Sequence, residues 1–519
     1  MNLRSFAFGF FLSLSLPLLS THAAPTVPQI FGDHMVLQQQ QNNPIWGKAD
    51  PGEFITIAIG GQKQTTTTDV NGDWRVSLQP LPVGGPYQLS IRGNTTIIIN
   101  DVLVGEVWVC SGQSNMEWPL IRTNNAAIEL LSANYPNIRV ISPPHVGTQE
   151  AQWDVEAQWE TLTPESARYF SAIGYYYGRI LHQTLNVPIG LINLTWGGSP
   201  AEAWIDRKRL QTDHTFDELM EYWTNLEVDF DYEKVLAEYQ TAHSTWEKAS
   251  AEAISNGDAA PKEPRKPNNE LTFRRRPANI YNGMLKPIIG YGIKGNIWYQ
   301  GESNTSEPEQ YAVLFPLLIN SWRKEWNQGD FPFYWVQLAD YYKDTEEPTD
   351  ADWAWLREAQ TQTLSLPNTG QVVITDLGES RDIHPRNKRE VATRLARVAL
   401  AQTYGYDLPS RNPQFASMQI NSNRATLTFD YVDSPLYAFD VTTISGFIIA
   451  GEDRVFHHAN AQIINDNTVE VWSDQVENPV AVRYNWAHDP IGNLITREQP
   501  LILTPFRTDD WPRRRKQKN

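Results

Sequence analysis

The sequence predicts an α/β protein, with a mostly parallel sheet in the middle of the chain and a β module on either side. Two observations predict this. Between about residues 106 and 408, short apolar runs end in glycine or polar turns and are followed by helical patterns, as in a parallel sheet covered by helices on both faces. Before and after this region, apolar and polar residues alternate with a period of two, which is typical of strands. With 519 residues, the chain is also too long for a single core.

The first 23 residues have the pattern of a secretory signal peptide. Arg4 supplies a positive charge, residues 6–19 are apolar, and small residues up to Ala23 offer a cleavage point. The apolar run is too short to span a membrane, and no later run approaches the ~20 apolar residues that a spanning helix needs. We therefore expect an exported protein, periplasmic or extracellular, without a membrane span.

Residues 24–105 form the predicted N-terminal β domain. Phe54–Ile59 has the composition of a strand, and Asn71 with Gly72 is a hairpin turn signal before the alternating residues 74–78. These short strands predict a small β-sandwich.

The central region, 106–408, carries five apolar runs that predict core strands and two amphipathic patterns that predict helices. Apolar residues spaced three or four apart over 232–246, followed by a proline-rich segment, predict a helical insertion near 226–276. Strands return after this region and predict a C-terminal β module over 409–512, followed by a basic tail over 513–519. The strand runs are 107–109, 189–193, 295–299, 334–338 and 372–375, and the helices are 171–185 and 388–402.

Composition excludes several classes of function. The net charge of −17 argues against nucleic-acid binding, which needs a basic surface. Cys110 is the only cysteine, so no intramolecular disulfide can form, and its place in an apolar strand indicates a buried structural thiol. The sequence has no His-Glu-x-x-His motif, and His457 with His458 is an isolated pair. We therefore expect neither a metal nor a cofactor.

Four polar segments follow predicted core strands. They contain Ser114, the Gly197-Gly198 pair, Gln300 with Asn304, and Asp382 with His384. The carboxyl ends of parallel strands meet at one edge of a sheet, and ligands bind there. We therefore expect these four segments to lie together.

Together the four segments indicate acyl transfer. A serine hydroxyl needs an adjacent base, an imidazole is suited to that task, and the oxyanion needs N–H donors that glycine turns or side-chain amides provide. Each segment alone has a plainer interpretation, such as a tight turn at Gly198, an N-cap at Asp382, a loop histidine at His384 or a structural ion pair at Glu302. The combination favours a hydrolase.

The same segments resemble the sequence blocks of the sialate O-acetylesterases, within the SGNH (GDSL-like) hydrolase superfamily. The resemblance covers nearly the whole mature chain. The blocks are CSGQSNM (110–116), WGGS (196–199), WYQGESN (298–304) and DIHP (382–385), with FGDHMVLQ (31–38) and PFRTDDW (505–511) near the ends.

This resemblance implies a flavodoxin-like three-layer domain and serine-dependent removal of O-acetyl groups. It implies Ser114 as nucleophile and His384 as general base. The N–H groups of Ser114 and Gly198 and a third-block amide would form the oxyanion hole, with Gln300 preferred and Asn304 as second choice.

The acid that orients the histidine is the point where the chain departs from the superfamily. Arg381 stands where the superfamily usually has aspartate, three residues before the histidine. Asp382 is therefore the predicted orienting acid. A dyad in which a backbone carbonyl orients His384 is the alternative.

The first hypothesis is an exported esterase that acts on O-acetylated sialic acid, for which Arg357 or Arg381 is a candidate to bind the sialate carboxylate. Asn115 either positions the nucleophile or forms its turn. An acetylesterase for plant polysaccharides such as acetylxylan is the enzyme alternative, and a non-catalytic carbohydrate-binding protein is the alternative of another class. The sequence predicts no oligomeric state.

Overall fold

The structure, a computed structural model, describes residues 24–342, 348 and 350–514. The predicted signal peptide and residues 515–519 of the predicted basic tail lie outside the described residues. Within the described part, no helix is long and apolar enough to cross a membrane.

The chain begins with six short strands. The hairpin predicted at Asn71 and Gly72 is wrong: β4 pairs with β3, and β5 pairs with β2, so the turn passes from one sheet to another. The Asp69 side chain closes this turn by accepting the N–H groups of Asn71 and Asp73. The strands are β1 (Val36–Gln38), β2 (Asn43–Lys48), β3 (Phe54–Ile59), β4 (Gln62–Thr67), β5 (Asp73–Leu78) and β6 (Gly84–Arg92).

The strand β7, Thr96–Gly112, connects the N-terminal strands to the centre of the molecule. Its first half pairs antiparallel with β6, and its second half lies in the central sheet. The second half is buried throughout, which agrees with a strand covered on both faces. The nucleophile candidate Ser114 follows two residues after β7 ends.

Six further strands complete the central sheet, which is mixed. They are β8 (Tyr135–Ile141), β9 (Glu160–Leu162), β10 (Ile189–Thr195), β11 (Gly295–Tyr299), β12 (Phe333–Val336) and β13 (Thr369–Val372). The order is β13-β12-β11-β7-β10-β8-β9. All neighbours are parallel except β8 and β9, and the chain reverses its direction of winding at β7. The α/β class that the alternation predicts is confirmed.

Ten α-helices accompany these strands in the described part of the chain. They are α1 (Ser114–Glu117), α2 (Ala126–Ser132), α3 (Pro164–Arg168), α4 (Ala172–Leu185), α5 (Arg207–Gln211), α6 (Asp217–Asp229), α7 (Tyr232–Asn256), α8 (Pro308–Trp326), α9 (Asp352–Gln362) and α10 (Lys388–Gln402). Short 3₁₀ or π turns cover Leu120–Arg122, Ala201–Trp204, His214–Phe216, Tyr281–Leu285, Lys286–Ile288, Glu302–Asn304 and Thr363–Ser365. The predicted helices over 171–185 and 388–402 are confirmed as α4 and α10.

Helices cover both faces of the central sheet. Trp108 of β7 packs edge-on against Tyr177 of α4. Trp298 of β11 points to the opposite face, because its register partner on β7 is Ser111, and there it packs against Phe315 of α8. The helices α4 and α10 also pack against each other, as do α8 and α9.

The insertion that the sequence predicts near 226–276 contains α6 and α7. The 25 residues of α7 bury only Ser250, so this helix projects from the body of the protein. The chain then runs back without regular secondary structure to Phe273, which packs against Trp196, and to Arg274, which lies beside Gly198. The insertion therefore delivers a charged residue to the carboxyl edge of the sheet.

The C-terminal strands form three small sheets around their own core, in which Phe429, Phe447, Tyr484 and Phe506 pack together. Arg357 of α9 joins this part to the central region by donating to the carbonyls of residues 338, 339, 487 and 488. The strands are β14 (Gln414–Asn421), β15 (Arg424–Asp430), β16 (Leu436–Ala438), β17 (Phe447–Ala450), β18 (Phe456–His458), β19 (Asn460–Asn465), β20 (Thr468–Trp472), β21 (Ala481–Tyr484), β22 (Leu494–Thr496) and β23 (Phe506–Arg507).

Candidate active site

Ser114 lies where the central strand β7 turns into the short helix α1. Gly112 has a φ of +136°, and a Cβ there would come 2.2 Å from the carbonyl oxygen of Tyr299, so only glycine fits this turn. Cys110, on the same strand, is completely buried, and burial raises the pKa of its thiol. The thiol is thus a core group, and Ser114 is the hydroxyl side chain that the turn presents.

His384 reaches Ser114 from the loop before α10. Its Nε2 lies 2.9 Å from Ser114 Oγ, within the range in which a base can accept the hydroxyl proton. The indole of Trp118 stacks on the imidazole, with ring centroids 4.9 Å apart and planes 15° apart. Burial lowers the pKa of His384, and the nearby Lys388 cation adds to this effect. The imidazole is therefore kept in the neutral form that a general base requires.

Asp382 stands beside the other nitrogen of this histidine. Its Oδ1 lies 3.4 Å from His384 Nδ1 and also accepts the backbone N–H of His384 at 2.9 Å. The Asp382 side chain is 51% exposed. Among the residues that the structure describes, no backbone carbonyl accepts a hydrogen bond from His384 Nδ1.

The glycine turn after β10 borders the nucleophile directly. A Cβ on Gly197 would lie 3.2 Å from that of Ser114, and the Gly197 N–H donates to Glu117. Gly198 has a φ of +72°. Within the described part of the chain, the N–H groups of Ser114 and Gly198 have no hydrogen-bond acceptor, so both are free to bind an oxyanion.

The hydrogen bonds of the third block favour Asn304 over Gln300 as the side-chain donor. Gln300 is completely buried, and its amide nitrogen donates to Ser199 O (3.3 Å) and to Asn304 Oδ1 (2.7 Å). Both of its N–H bonds are thereby used. Asn304 donates one amide N–H to Glu202, and its second amide N–H has no acceptor among the described residues. Its oxygen accepts hydrogen bonds from the Gln300 side chain and from the backbone N–H of Ala201.

Two charged side chains that the sequence analysis did not single out lie against the glycine turn. Glu117 accepts the Gly197 N–H and lies 3.3 Å from His145, whose ring stacks on Trp196. The pKa of Glu117 is lowered, because hydrogen bonds from His145 and Gly197 outweigh the cost of its burial. Its spacing of three residues from Ser114 was the one available signal, since such residues share a helix face.

Arg274 is the second of these side chains. A Cβ on Gly198 would lie 2.9 Å from Arg274 Nε, so the guanidinium covers the glycine turn. It stacks on Phe273, 4.1 Å from the ring centroid, and its buried Nε has no hydrogen-bond partner among the described residues. The sequence carried no signal for this contact, because it depends on where the long insertion returns.

The two arginines suggested as carboxylate ligands differ in their surroundings. Arg357 is completely buried and donates to backbone carbonyls between the central and C-terminal parts, so it cannot meet a substrate. Arg381 is exposed. No cluster of three or more His, Cys, Asp or Glu side chains that could hold a metal ion occurs among the described residues.

Comparisons with known proteins agree with this chemistry. The family model described as carbohydrate esterase, sialic acid-specific acetylesterase, matches residues 270–401, which include Asn304 and His384. The sialate O-acetylesterase of Homo sapiens is 30% identical over 467 residues, covering 82% of this chain and 80% of the relative. That of Rattus norvegicus is 31% identical and covers 72% of each chain.

A solved structure is similar over almost the entire chain. It is a carbohydrate acetylesterase from Xanthomonas citri, with 36% sequence identity and a TM-score of 0.78, covering 94% of this chain and 100% of the other. The mammalian relatives thus resemble this chain in sequence, and the Xanthomonas citri enzyme resembles it in both sequence and fold. The chain is a carboxylic ester hydrolase that belongs to the sialate O-acetylesterase family.

Proposed function

We propose that this carbohydrate acetylesterase removes O-acetyl groups through an acetyl-enzyme on Ser114. The observation that carries the proposal is the 2.9 Å separation of Ser114 Oγ and His384 Nε2, next to two free backbone N–H groups. Ser114 Oγ attacks the acetyl carbonyl carbon while His384 takes its proton. The negative oxygen is held by the N–H groups of Ser114 and Gly198 and by the spare amide hydrogen of Asn304.

The first half ends when His384 gives its proton to the departing sugar oxygen, which leaves the acetyl group on Ser114. In the second half, water attacks the acetyl carbon as His384 accepts the water proton. His384 then returns this proton to Ser114 Oγ as the bond to the acetyl group breaks and acetate leaves. Asp382 stabilises the imidazolium that forms in each half.

We further propose that residues 106–408 are a flavodoxin-like three-layer SGNH domain, flanked by sandwich-like β modules over 24–105 and 409–512. The parallel strands with helices on both faces support the first part. The separate core of the C-terminal strands supports the second. We also propose export to the periplasm or the extracellular space. N-terminal sequencing of the exported protein should give Ala24 as the first residue.

O-acetylated sialic acid is the proposed substrate, and Arg274 is the observation that favours it over a neutral polysaccharide such as acetylxylan. The guanidinium lies beside the proposed oxyanion turn, and its Nε lacks a hydrogen-bond partner among the residues that the structure describes. A sialate carboxylate would supply the paired acceptors that a guanidinium binds best. Neutral xylan offers no such group.

Two measurements test this function. Ser114→Ala should abolish acetate release without changing the thermal unfolding temperature, and an active-serine phosphonate should label Ser114 in the wild type. Retained turnover in the variant would refute the acetyl-enzyme. Absence of labelling would refute Ser114 as the nucleophile.

The substrate is tested by kcat/KM on 9-O-acetylated sialic acid and on acetylated xylan. Arg274→Met should reduce the ratio of the two values by about 10- to 100-fold, because a hydrogen bond to a charged group contributes ~1.5–3 kcal/mol. Arg275→Met, an exposed neighbour, is the matched control and should leave the ratio unchanged. A wild-type preference for xylan would refute the sialate assignment while leaving the esterase mechanism intact.

A further inference from the structure

We propose that Lys388, Asn115 and Glu302 form a positioning network that holds Ser114 and His384 at reacting distance. The inference rests on the proposed acetyl-enzyme mechanism and goes beyond it. None of these three side chains touches the reacting atoms in that mechanism, so they are positioning residues. Each comes from a different one of the segments that meet at the site.

Asn115 is the centre of the network. It directly follows Ser114 and is 1% exposed. Its amide nitrogen donates to Glu302 Oε1 at 2.5 Å and to the carbonyl oxygen of Ile383 at 3.0 Å. Its oxygen accepts a hydrogen bond from Lys388 Nζ. One side chain thus ties the residue after the nucleophile to the residue before the base.

Packing alone does not account for this arrangement. Lys388 is completely buried and has no carboxylate within 4.0 Å among the described residues, although Tyr299 and Trp118 present their rings to its ammonium at 5.4 and 5.9 Å. It is also the first residue of α10, the end at which the helix dipole disfavours a cation. Buried charges of this kind cost several kcal/mol unless other groups compensate.

The burial of Glu302 adds a second unfavourable contribution to the stability of the same network. Its Oε2 is buried and has no hydrogen-bond partner in the described part of the chain, and burial raises the pKa of this carboxyl. Apolar side chains of similar size would fill this volume with less loss of stability. What the polar network provides instead is directional bonding that fixes the two backbone segments carrying Ser114 and His384.

The network also sets the electrostatic environment of the base. The groups around the His384 imidazole are Ser114 and Trp118 of the nucleophile turn, Asp382 of its own loop, and the cations of Lys388 and Arg122. Lys388 and Arg122 lower the pKa of His384, and Asp382 opposes them. Removing the Lys388 charge should therefore raise this pKa.

The test uses Lys388→Met and the double variant Lys388→Met/Glu302→Gln in the full-length protein. The double variant removes both buried charges and keeps the acceptor for Asn115. With 4-nitrophenyl acetate, both variants should lose about 100-fold in kcat, the cost of a displacement of about 1 Å, with KM changed by less than about twofold. The acidic limb of the kcat/KM profile should move to higher pH in both.

Thermal unfolding separates positioning from stability. The double variant should unfold at or above the wild-type temperature while its kcat stays low, because neither buried charge remains. Lys294→Met is the matched control: this mostly buried lysine lies 3.8 Å from the buried Glu106 at the opposite end of the strands. It should lower the unfolding temperature without changing kcat or the pH profile.

Two results would overturn the network. One is a kcat within threefold of wild type with an unmoved acidic limb in the double variant. The other is a loss of kcat that merely follows a loss of folded protein. Neither result would affect the Ser114→Ala test, so failure of the network and failure of the acetyl-enzyme can be told apart.

Discussion

Replacing Asp382 by asparagine measures how strongly an acid orients the base in this site. The substitution removes the charge and keeps Oδ1, the atom that accepts the backbone N–H of His384 at 2.9 Å. The loop should therefore stay in place, and only the interaction with His384 Nδ1 changes. That interaction spans 3.4 Å, which is longer than a charge-assisted hydrogen bond of good geometry.

The magnitude follows from the distance and the exposure. Two unit charges 3.4 Å apart attract by about 1.2 kcal/mol at the permittivity of water and by about 5 kcal/mol at an effective value of 20. Because half of the Asp382 side chain is exposed, screening places the stabilisation of the imidazolium near the lower limit, about 1–2 kcal/mol. At about 1.36 kcal/mol for each tenfold change in rate, Asp382→Asn should lower kcat/KM by about 5- to 30-fold.

The assay is kcat/KM for 4-nitrophenyl acetate across the acidic pH range. The Asp382 charge raises the pKa of His384, so the acidic limb of the variant should also move to lower pH. Asp376→Asn is the control. It removes a carboxylate of the same loop that pairs with Arg394 of α10, and it should leave the acidic limb of the pH profile in place. A loss of about 10⁴-fold, typical of a buried triad aspartate, would refute this reasoning. An unchanged rate would instead indicate a dyad.

Three further predictions concern the glycine turn at Gly198, the imidazole of His384 and the contact of Arg357 between the central and C-terminal parts. Gly198→Ala should lower kcat by about 100-fold, measured on the same ester, because its φ of +72° and the 2.9 Å approach to Arg274 force the donor N–H to move. The pKa of His384 is lowered from its ordinary value of 6.5, so the midpoint of the acidic limb of kcat/KM should lie below pH 6.5. Arg357→Met should lower the free energy of unfolding by at least about 3 kcal/mol in denaturant titration, because it leaves several buried carbonyls without donors.

The sequence predicted the meeting of Ser114 and His384 because parallel strands place their carboxyl ends at one edge. Their partners were harder to assign, since hydrogen bonds between side chains decide them. Gln300 and Asn304 both follow β11, and only the contacts with Ser199 and Glu202 reveal which amide keeps a free N–H. A local turn signal likewise does not reveal which strands pair. Asn71 and Gly72 do form a turn, but the strand after it, β5, pairs with β2 and not with the preceding strand β4.

The charged residues around the site show why the other side-chain contacts could not be predicted from the sequence. Lys388 has the sequence context of an ordinary first-turn helix residue, and it donates a hydrogen bond to Asn115, which lies 273 positions earlier. The contacts also suggest a reason why each sequence block extends beyond its proposed reacting residue. The first block contains Ser114 and Asn115, the third contains Asn304 and Glu302, and Lys388 follows His384 by four residues. In the proposed mechanism, each of these segments carries one group for the chemistry and one that binds the other segments, so a substitution of the second kind should lower the rate without removing any reacting atom.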